Sequence, residues 1–229
     1  MEYKLIINCK NYTESTLNNF SKILTVCEKL MPKAKKLGVD IILCPSILDL
    51  KDASKSKVKI YAQHIDVKEI GAQTGYVVPQ LIKDLGISGT LISHSEHILD
   101  LKEILKSIEI AKKFDLETCV CARDSSAAKK ISKFGPQFIA VEPKELIGGD
   151  ISISTAKPEL ITKSLRAISP LLSSPSILSP TLLVGAGVKN SKDVKKSIEL
   201  GAKGILVASG VVKAKNIQKA IEELLDGFS

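Results

Sequence analysis

The sequence has no tryptophan, and aromatic residues make up only 4% of its 229 residues. Its core must therefore be aliphatic, and 44% of the residues are hydrophobic against 25% charged, as in ordinary globular proteins. No apolar run approaches the roughly 18 residues that a membrane-spanning helix needs. The first residues, Met1–Lys4, lack the charged region and cleavage site of a signal peptide. We therefore expect a cytoplasmic protein without a membrane partner.

Cysteines are few, and their spacing argues against disulfides and against a metal centre. The chain has five of them, an odd number, and Cys9, Cys44, Cys119 and Cys121 lie within or at the end of apolar runs. No second pair of cysteines or histidines follows Cys119 and Cys121 at the spacing of a zinc site. The sequence predicts buried structural thiols and no bound metal.

Acidic residues are outnumbered, since 33 Lys and Arg against 25 Asp and Glu give a net charge of +8. Nucleic-acid binding favours a concentrated basic patch with interleaved aromatics, whereas the lysines here are spread over many segments. The positive charge has two interpretations: a solvated lysine-rich surface, or electrostatic attraction of an anionic substrate. We expect no nucleic-acid partner.

What the sequence does contain is a regular alternation of short apolar runs and amphipathic segments. Eight runs, mostly unbroken as in a parallel sheet covered on both faces, predict strands: Leu5–Cys9, Val39–Leu43, Val58–Gln63, Gly89–Ser93, Thr118–Cys121, Phe138–Glu142, Thr181–Gly185 and Gly204–Ala208. The segments between them predict helices: Leu17–Leu37, Val78–Leu85, Ile98–Phe114, Ser125–Phe134, Pro158–Ile168, Ser191–Leu200 and Ala214–Leu225. Eight such units of about 29 residues predict an α/β protein with a single-domain (β/α)8 barrel over residues 1–229; a doubly wound open sheet is the alternative.

Active sites of such barrels lie at the carboxyl ends of the strands, and this rule selects candidate residues. The first strand ends near Asn8 and Lys10, the fourth at His94 and the sixth at Glu142. A carboxylate base, a neutral imidazole and an ammonium group suit proton abstraction beside a carbonyl. The Ser93–Glu96 segment has the pattern of a capping box that starts a helix. His94 is predicted to stay neutral because the positive end of a helix disfavours its protonation.

Small residues at two further strand ends indicate where an anion would bind. The turns Gly185–Gly187 and Ala208–Gly210 precede predicted helices and expose backbone N–H groups that suit a phosphate. Barrels of this kind often bind phosphate at the loops after strands seven and eight. Each candidate alone has a simpler structural explanation, but their coincidence at five strand ends favours a site for a small phosphorylated carbonyl compound.

In their order along the chain, these motifs resemble those of the triosephosphate isomerases, specifically the short archaeal type. The resemblance covers essentially the whole chain and is carried by Asn8–Lys10, Ala62–Asp66, Gly71–Gly75, His94–Glu96, Val141–Gly148, Ala156–Glu159, Gly185–Gly187 and Ala208–Lys213. It implies a TIM barrel that interconverts dihydroxyacetone phosphate and D-glyceraldehyde 3-phosphate without a cofactor, in glycolysis and gluconeogenesis. The alternatives are another phosphate-binding barrel isomerase or epimerase acting on a small sugar phosphate, and a binding protein that kept the barrel.

The resemblance also implies roles for individual residues. Glu142 would be the general base, His94 would act on the carbonyl oxygen, and Lys10 would stabilise the anionic enediolate. Further roles are implied for two groups: Asn8, Ile147, Gly148, Gly187, Ala208 and Ser209 in substrate binding, and Ser95, Glu96 and Thr74 in supporting the catalytic side chains. Residues from about 143 to 151 would form a flexible lid. Thr74 would reach the active site of a neighbouring subunit in a homodimer or homotetramer.

Overall fold

The eight apolar runs form one closed barrel of parallel strands. The computed structural model describes residues 3–143, 146, 152–169 and 179–229. The strands are β1 (Tyr3–Asn8), β2 (Val39–Cys44), β3 (Lys59–Ala62), β4 (Gly89–Ile92), β5 (Glu117–Ala122), β6 (Phe138–Val141), β7 (Thr181–Val184) and β8 (Gly204–Val207). Each strand pairs with its neighbours in sequence, and β8 closes the ring by pairing with β1, where Lys4 lies opposite Gly204. The predicted (β/α)8 fold is confirmed, and the open sheet is excluded.

Helices follow the strands and cover the outside of the barrel. They are α1 (Phe20–Lys36), α2 (Leu50–Ala53), α3 (Pro79–Asp84), α4 (Leu101–Lys113), α5 (Ser125–Ser132), α6 (Ile153–Ala156), α7 (Pro158–Ile168), α8 (Ser191–Glu199), α9 (Ser209–Val212) and α10 (Ile217–Asp226). The sequence predicts none of the short helices α2, α6 and α9, because a single turn carries no apolar periodicity. Within the described ranges, no helix is long and apolar enough to cross a membrane.

One predicted helix start is wrong, and it bears on the active site. The capping box lies at Asp100, whose side chain accepts from the N–H of Glu103 while the Glu103 side chain accepts from the N–H of Asp100. Helix α4 therefore begins at Leu101. The earlier Ser93–Glu96 segment forms a turn instead, in which the Ser93 hydroxyl accepts from the N–H of Leu99 at 3.1 Å. His94 consequently does not lie at the start of a helix.

The core is aliphatic, as the lack of tryptophan predicts, and all five cysteines are buried free thiols. Tyr61 fills the interior near the amino ends of β4 and β5, where its hydroxyl donates a hydrogen bond to Glu117. Lys59 pairs with the same carboxylate at 2.7 Å. This packing fills the amino end of the barrel and leaves the carboxyl end for the site.

Candidate active site

One cavity of about 60 Å³ at the carboxyl end of the barrel collects most of the predicted site residues. We call it the active-site cavity. The predicted residues that line it are Asn8, Lys10, His94, Glu142, Gly187, Ala208 and Ser209. Tyr12 and Lys189 also line it, although no sequence motif singles them out. Ile147, Gly148 and most of the predicted lid at about 143–151 lie outside the described residues.

Lys10 is held at both its backbone and its ammonium group. Its backbone has a φ of 50°, a left-handed conformation that is uncommon outside glycine, and its N–H donates to Asn8 Oδ1 at 3.0 Å. The side-chain amide of Gln63 donates to the Lys10 carbonyl at 3.0 Å and to the Cys44 carbonyl at 3.1 Å. Lys10 Nζ donates to Glu96 Oε1 at 2.6 Å. This role of Gln63 was not predicted, because nothing in the residue spacing shows which carbonyls its amide reaches.

His94 is only 8% exposed, and its ring orientation is fixed by the backbone. Nδ1 accepts a hydrogen bond from the N–H of Glu96 at 3.2 Å, which assigns the ring proton of the neutral form to Nε2. Burial, together with the positive charge of Lys10, lowers the pKa of His94, and the Glu96 carboxylate opposes this. The shift favours the predicted neutral imidazole, but its cause is burial rather than a helix end. Ser95 lies half-buried in the same turn.

Glu142 presents a buried carboxylate to the cavity. It follows β6 directly, is 4% exposed, and its N–H donates to the Ala122 carbonyl at 2.9 Å. Burial raises the pKa of Glu142 to about 7, against the lowering effects of a hydrogen bond from the Cys121 thiol and of the Lys10 charge. Oε2 has no hydrogen-bond partner in the described part of the chain and lies 3.8 Å from His94 Nε2. The arrangement places a carboxylate whose pKa lies near neutrality beside an imidazole N–H.

Small residues complete the wall after β7 and β8. A Cβ added at Gly185 would lie 2.3 Å from Cγ of Glu142, so only glycine leaves room for that side chain. Gly187 has a φ of 70° and makes the tight turn that follows. Ser209 and Gly210 line the cavity at the start of α9, where the first N–H groups of a helix have no intrahelical acceptor. This wall can therefore donate backbone hydrogen bonds to an anion.

A second cavity of about 440 Å³ adjoins the first, and we call it the neighbouring cavity. It is lined by Asn8, Lys10, Asn11, Tyr12, Gln63, His64, His94, Glu96 and His97. The rings of His64 and His97 lie against each other there, with centroids 4.1 Å apart. Thr74 is exposed on the loop after β3 and lines neither cavity. Within the described ranges, no cluster of three or more His, Cys, Asp or Glu side chains could hold a metal ion.

Comparison with known proteins decides the family. The sequence model of the family "Triosephosphate isomerase" matches residues 4–224, nearly the whole chain. The chain belongs to the triosephosphate isomerase family. The triosephosphate isomerase of Cenarchaeum symbiosum is 41% identical over 201 residues, which cover 88% of this chain and 86% of that protein. Those of Thermoplasma volcanium and Methanocaldococcus jannaschii are 38% and 39% identical, over 89% and 88% of this chain and 90% and 89% of theirs.

The match confirms the resemblance drawn from the motifs of the triosephosphate isomerases. It also identifies the chain as an aldose–ketose isomerase and supports this function over that of another phosphate-binding barrel enzyme. The fold agrees, since an eight-stranded parallel barrel is the TIM barrel that the resemblance implies.

Proposed function

We propose that the chain interconverts dihydroxyacetone phosphate and D-glyceraldehyde 3-phosphate, with Glu142 as the base. The observation that carries this proposal is the convergence of three groups on one cavity: a buried carboxylate, an imidazole N–H and an ammonium. They come from Glu142, His94 and Lys10, which follow three different strands. A small carbonyl compound in this cavity would meet the base at a carbon-bound proton and the two donors at its oxygens.

The proton transfer then runs through an enediolate. The Glu142 carboxylate removes a proton from C1 of the ketose, and the electrons of the broken C–H bond form a C1–C2 double bond while negative charge moves to the C2 oxygen. The Nε2–H of His94 donates to that oxygen, and the Lys10 ammonium balances its charge. A proton moves from the C1 oxygen to the C2 oxygen, and Glu142 returns its proton to C2. The product carries an aldehyde at C1.

The remaining predicted residues take binding and supporting roles in this proposal. Backbone N–H groups of Gly187, Ala208 and Ser209, with Gly148, would hold the phosphate, as turns ahead of helices commonly do. Asn8 and Ile147 would complete the substrate contacts. Supporting roles fall to Glu96, through its 2.6 Å contact with Lys10 Nζ, and to Ser95, which lies between His94 and Glu96. The reaction belongs to glycolysis and gluconeogenesis, and we place it in the cytoplasm, where buried free thiols such as these are usual.

A coupled assay of the purified protein tests the proposal. Glyceraldehyde 3-phosphate is supplied at physiological ionic strength, with and without EDTA, and pentose phosphates serve as comparison substrates. We expect the two trioses to interconvert, with no effect of EDTA and no turnover of pentose phosphates. Turnover of a pentose phosphate instead, or loss of activity in EDTA, would favour a different barrel enzyme.

We also propose that the chain self-associates, as a homodimer or a homotetramer. Among the described residues, the exposed large apolar side chains are concentrated in the first half of the barrel: Leu17, Ile47, Leu48, Val67, Ile70, Tyr76, Leu81, Leu85, Ile98 and Leu101. Such a concentration is typical of a protein interface. The exposed loop that carries Thr74 belongs to the same half of the chain. In this proposal it enters the neighbouring cavity of a second copy, beside Lys10 and Glu96.

Thr74→Glu tests this assembly. The new carboxylate would be brought towards Glu96 of the other copy, and like charges at an interface weaken association. We expect light scattering after gel filtration to show a smaller species, and kcat/KM to fall by roughly tenfold or more because Lys10 loses a support. Thr25→Glu, on the exposed face of α1, is the matched control and should change neither quantity. An unchanged mass for Thr74→Glu would contradict the assembly.

A further inference from the structure

Tyr12, two residues after Lys10, connects two walls of the active site. Tyr12 lines both the active-site cavity and the neighbouring cavity. Nζ of Lys213 lies 4.0 Å from the centroid of its ring, and Nζ of Lys10 lies 5.9 Å from the same centroid. Both distances are within the range of cation–π attraction. Lys213 follows α9 directly, and its N–H donates to the Ser209 carbonyl at 3.1 Å.

The ring of Tyr12 stands on a fixed backbone. The Tyr12 carbonyl accepts from the N–H of Ser15 at 3.0 Å, from the Ser15 hydroxyl at 3.2 Å and from the Thr16 hydroxyl at 3.0 Å. The Ser15 hydroxyl also donates to the Cys9 carbonyl at 2.6 Å, just beyond the end of β1. The Tyr12 ring is thus held next to the end of β1, whereas Lys213 lies in the segment that follows β8.

We propose that Tyr12 is a positioning residue that holds Lys213, and with it the turn at Ala208 and Ser209, at a set distance from Lys10. The two ammonium groups repel each other, and their shared attraction to one ring keeps both beside the cavity. The inference rests on the proposed function, because it concerns the dianionic substrate of that reaction.

The expected signature lies in KM rather than in kcat, because the contact shapes the binding wall and does not touch the base. Tyr12→Leu should raise KM for glyceraldehyde 3-phosphate about fivefold, which corresponds to the loss of one partly exposed cation–π contact, and should leave kcat nearly unchanged. Lys213→Met should raise KM by a similar factor. The double variant should be no worse than Tyr12→Leu alone, since that change already removes the contact with Lys213. The inhibition constant of inorganic phosphate, used as a competitive inhibitor, should rise by the same factor.

Two control variants distinguish the effect of the Tyr12 ring from the effects of its hydroxyl and of a lost positive charge. Tyr12→Phe keeps the ring without the hydroxyl and should restore the wild-type KM. Lys215→Met removes an exposed lysine two residues beyond Lys213 and controls for the loss of one positive charge. Additive effects of Tyr12→Leu and Lys213→Met would overturn the inference, as would a Tyr12→Phe variant impaired like Tyr12→Leu, or an equal loss in Lys215→Met.

Failure of this inference can be told apart from failure of the proposed function. A well-folded wild-type protein that does not isomerise the trioses would overturn the proposed function. An active wild type, with an unchanged KM in Tyr12→Leu, would overturn only the role of Tyr12. Circular dichroism verifies the fold of each variant. If Tyr12→Leu fails to fold, Lys213→Met and Tyr12→Phe still test the inference. An unchanged KM in Lys213→Met then overturns it.

Discussion

Glu142→Asp is expected to lower kcat by about 10²-fold, because the shorter side chain withdraws the carboxylate by more than a bond length from the proton that it removes. Glu142→Gln, which has no carboxylate to accept the proton, should lower kcat by a factor between about 10² and 10⁴. Both effects should appear in kcat with the coupled triose assay, while circular dichroism shows an unchanged fold. Glu109→Asp, on the exposed face of α4, is the matched control and should retain full activity. Near-normal turnover by Glu142→Asp would assign the base elsewhere.

The pH profile supplies an independent readout for the same residue. Burial raises the pKa of Glu142 to about 7, and only its ionised form accepts a proton. For the wild type, kcat/KM should therefore be constant at higher pH and fall as the pH drops through 7, approaching about tenfold per unit at lower pH. The phosphate of the substrate titrates near pH 6, below this transition. A kcat/KM that stayed flat from pH 8 to pH 6 would contradict the raised pKa.

His94→Gln is the second change for which we expect a large effect, a loss of about 10²-fold in kcat with a smaller change in KM. Glutamine offers an N–H group, but it lacks the ring whose Nδ1 accepts from the Glu96 N–H, and so the donor is no longer held facing Glu142. Transition-state stabilisation by a fixed donor depends on that orientation.

The chain offers a close control for this variant. His97→Gln changes the same residue type in the same turn, at a position that lines the neighbouring cavity and not the active-site cavity. It should leave kcat almost unchanged. Equal losses in the two variants would show that the turn, rather than the His94 imidazole, governs turnover.

The barrel and the convergence of Lys10, His94 and Glu142 on one cavity are predictable from the sequence for a simple physical reason. Strands buried on both faces leave unbroken apolar runs, and each run ends where a polar side chain first meets the cavity. Lys10, His94 and Glu142 are each found by this rule. All three line the cavity in the structure.

The reason for the neutral state of His94 was not predictable in the same way. Ser93 to Glu96 and Asp100 to Glu103 both carry the spacing of a capping box, and the sequence offers no means of choosing between them. The conformation of the loop decides, because the Ser93 hydroxyl accepts from the N–H of Leu99 and the helix begins only at Leu101. Contacts between distant segments, such as Tyr12 with Lys213, likewise leave no mark in local spacing.

Because β1 pairs with β8, the active-site cavity can form only after β8 has been synthesised. Lys10 leaves the ribosome early, yet the strand before it lacks one neighbour until Gly204 and the residues around it have been synthesised. The turn at Ser209 that lines the cavity emerges later still. A nascent or truncated polypeptide that stops before β8 thus lacks both barrel closure and the part of the cavity wall that Ala208–Gly210 provides. Isomerase activity in a cell extract would therefore be proportional to the amount of chains that include β8, and fragments would not contribute to it.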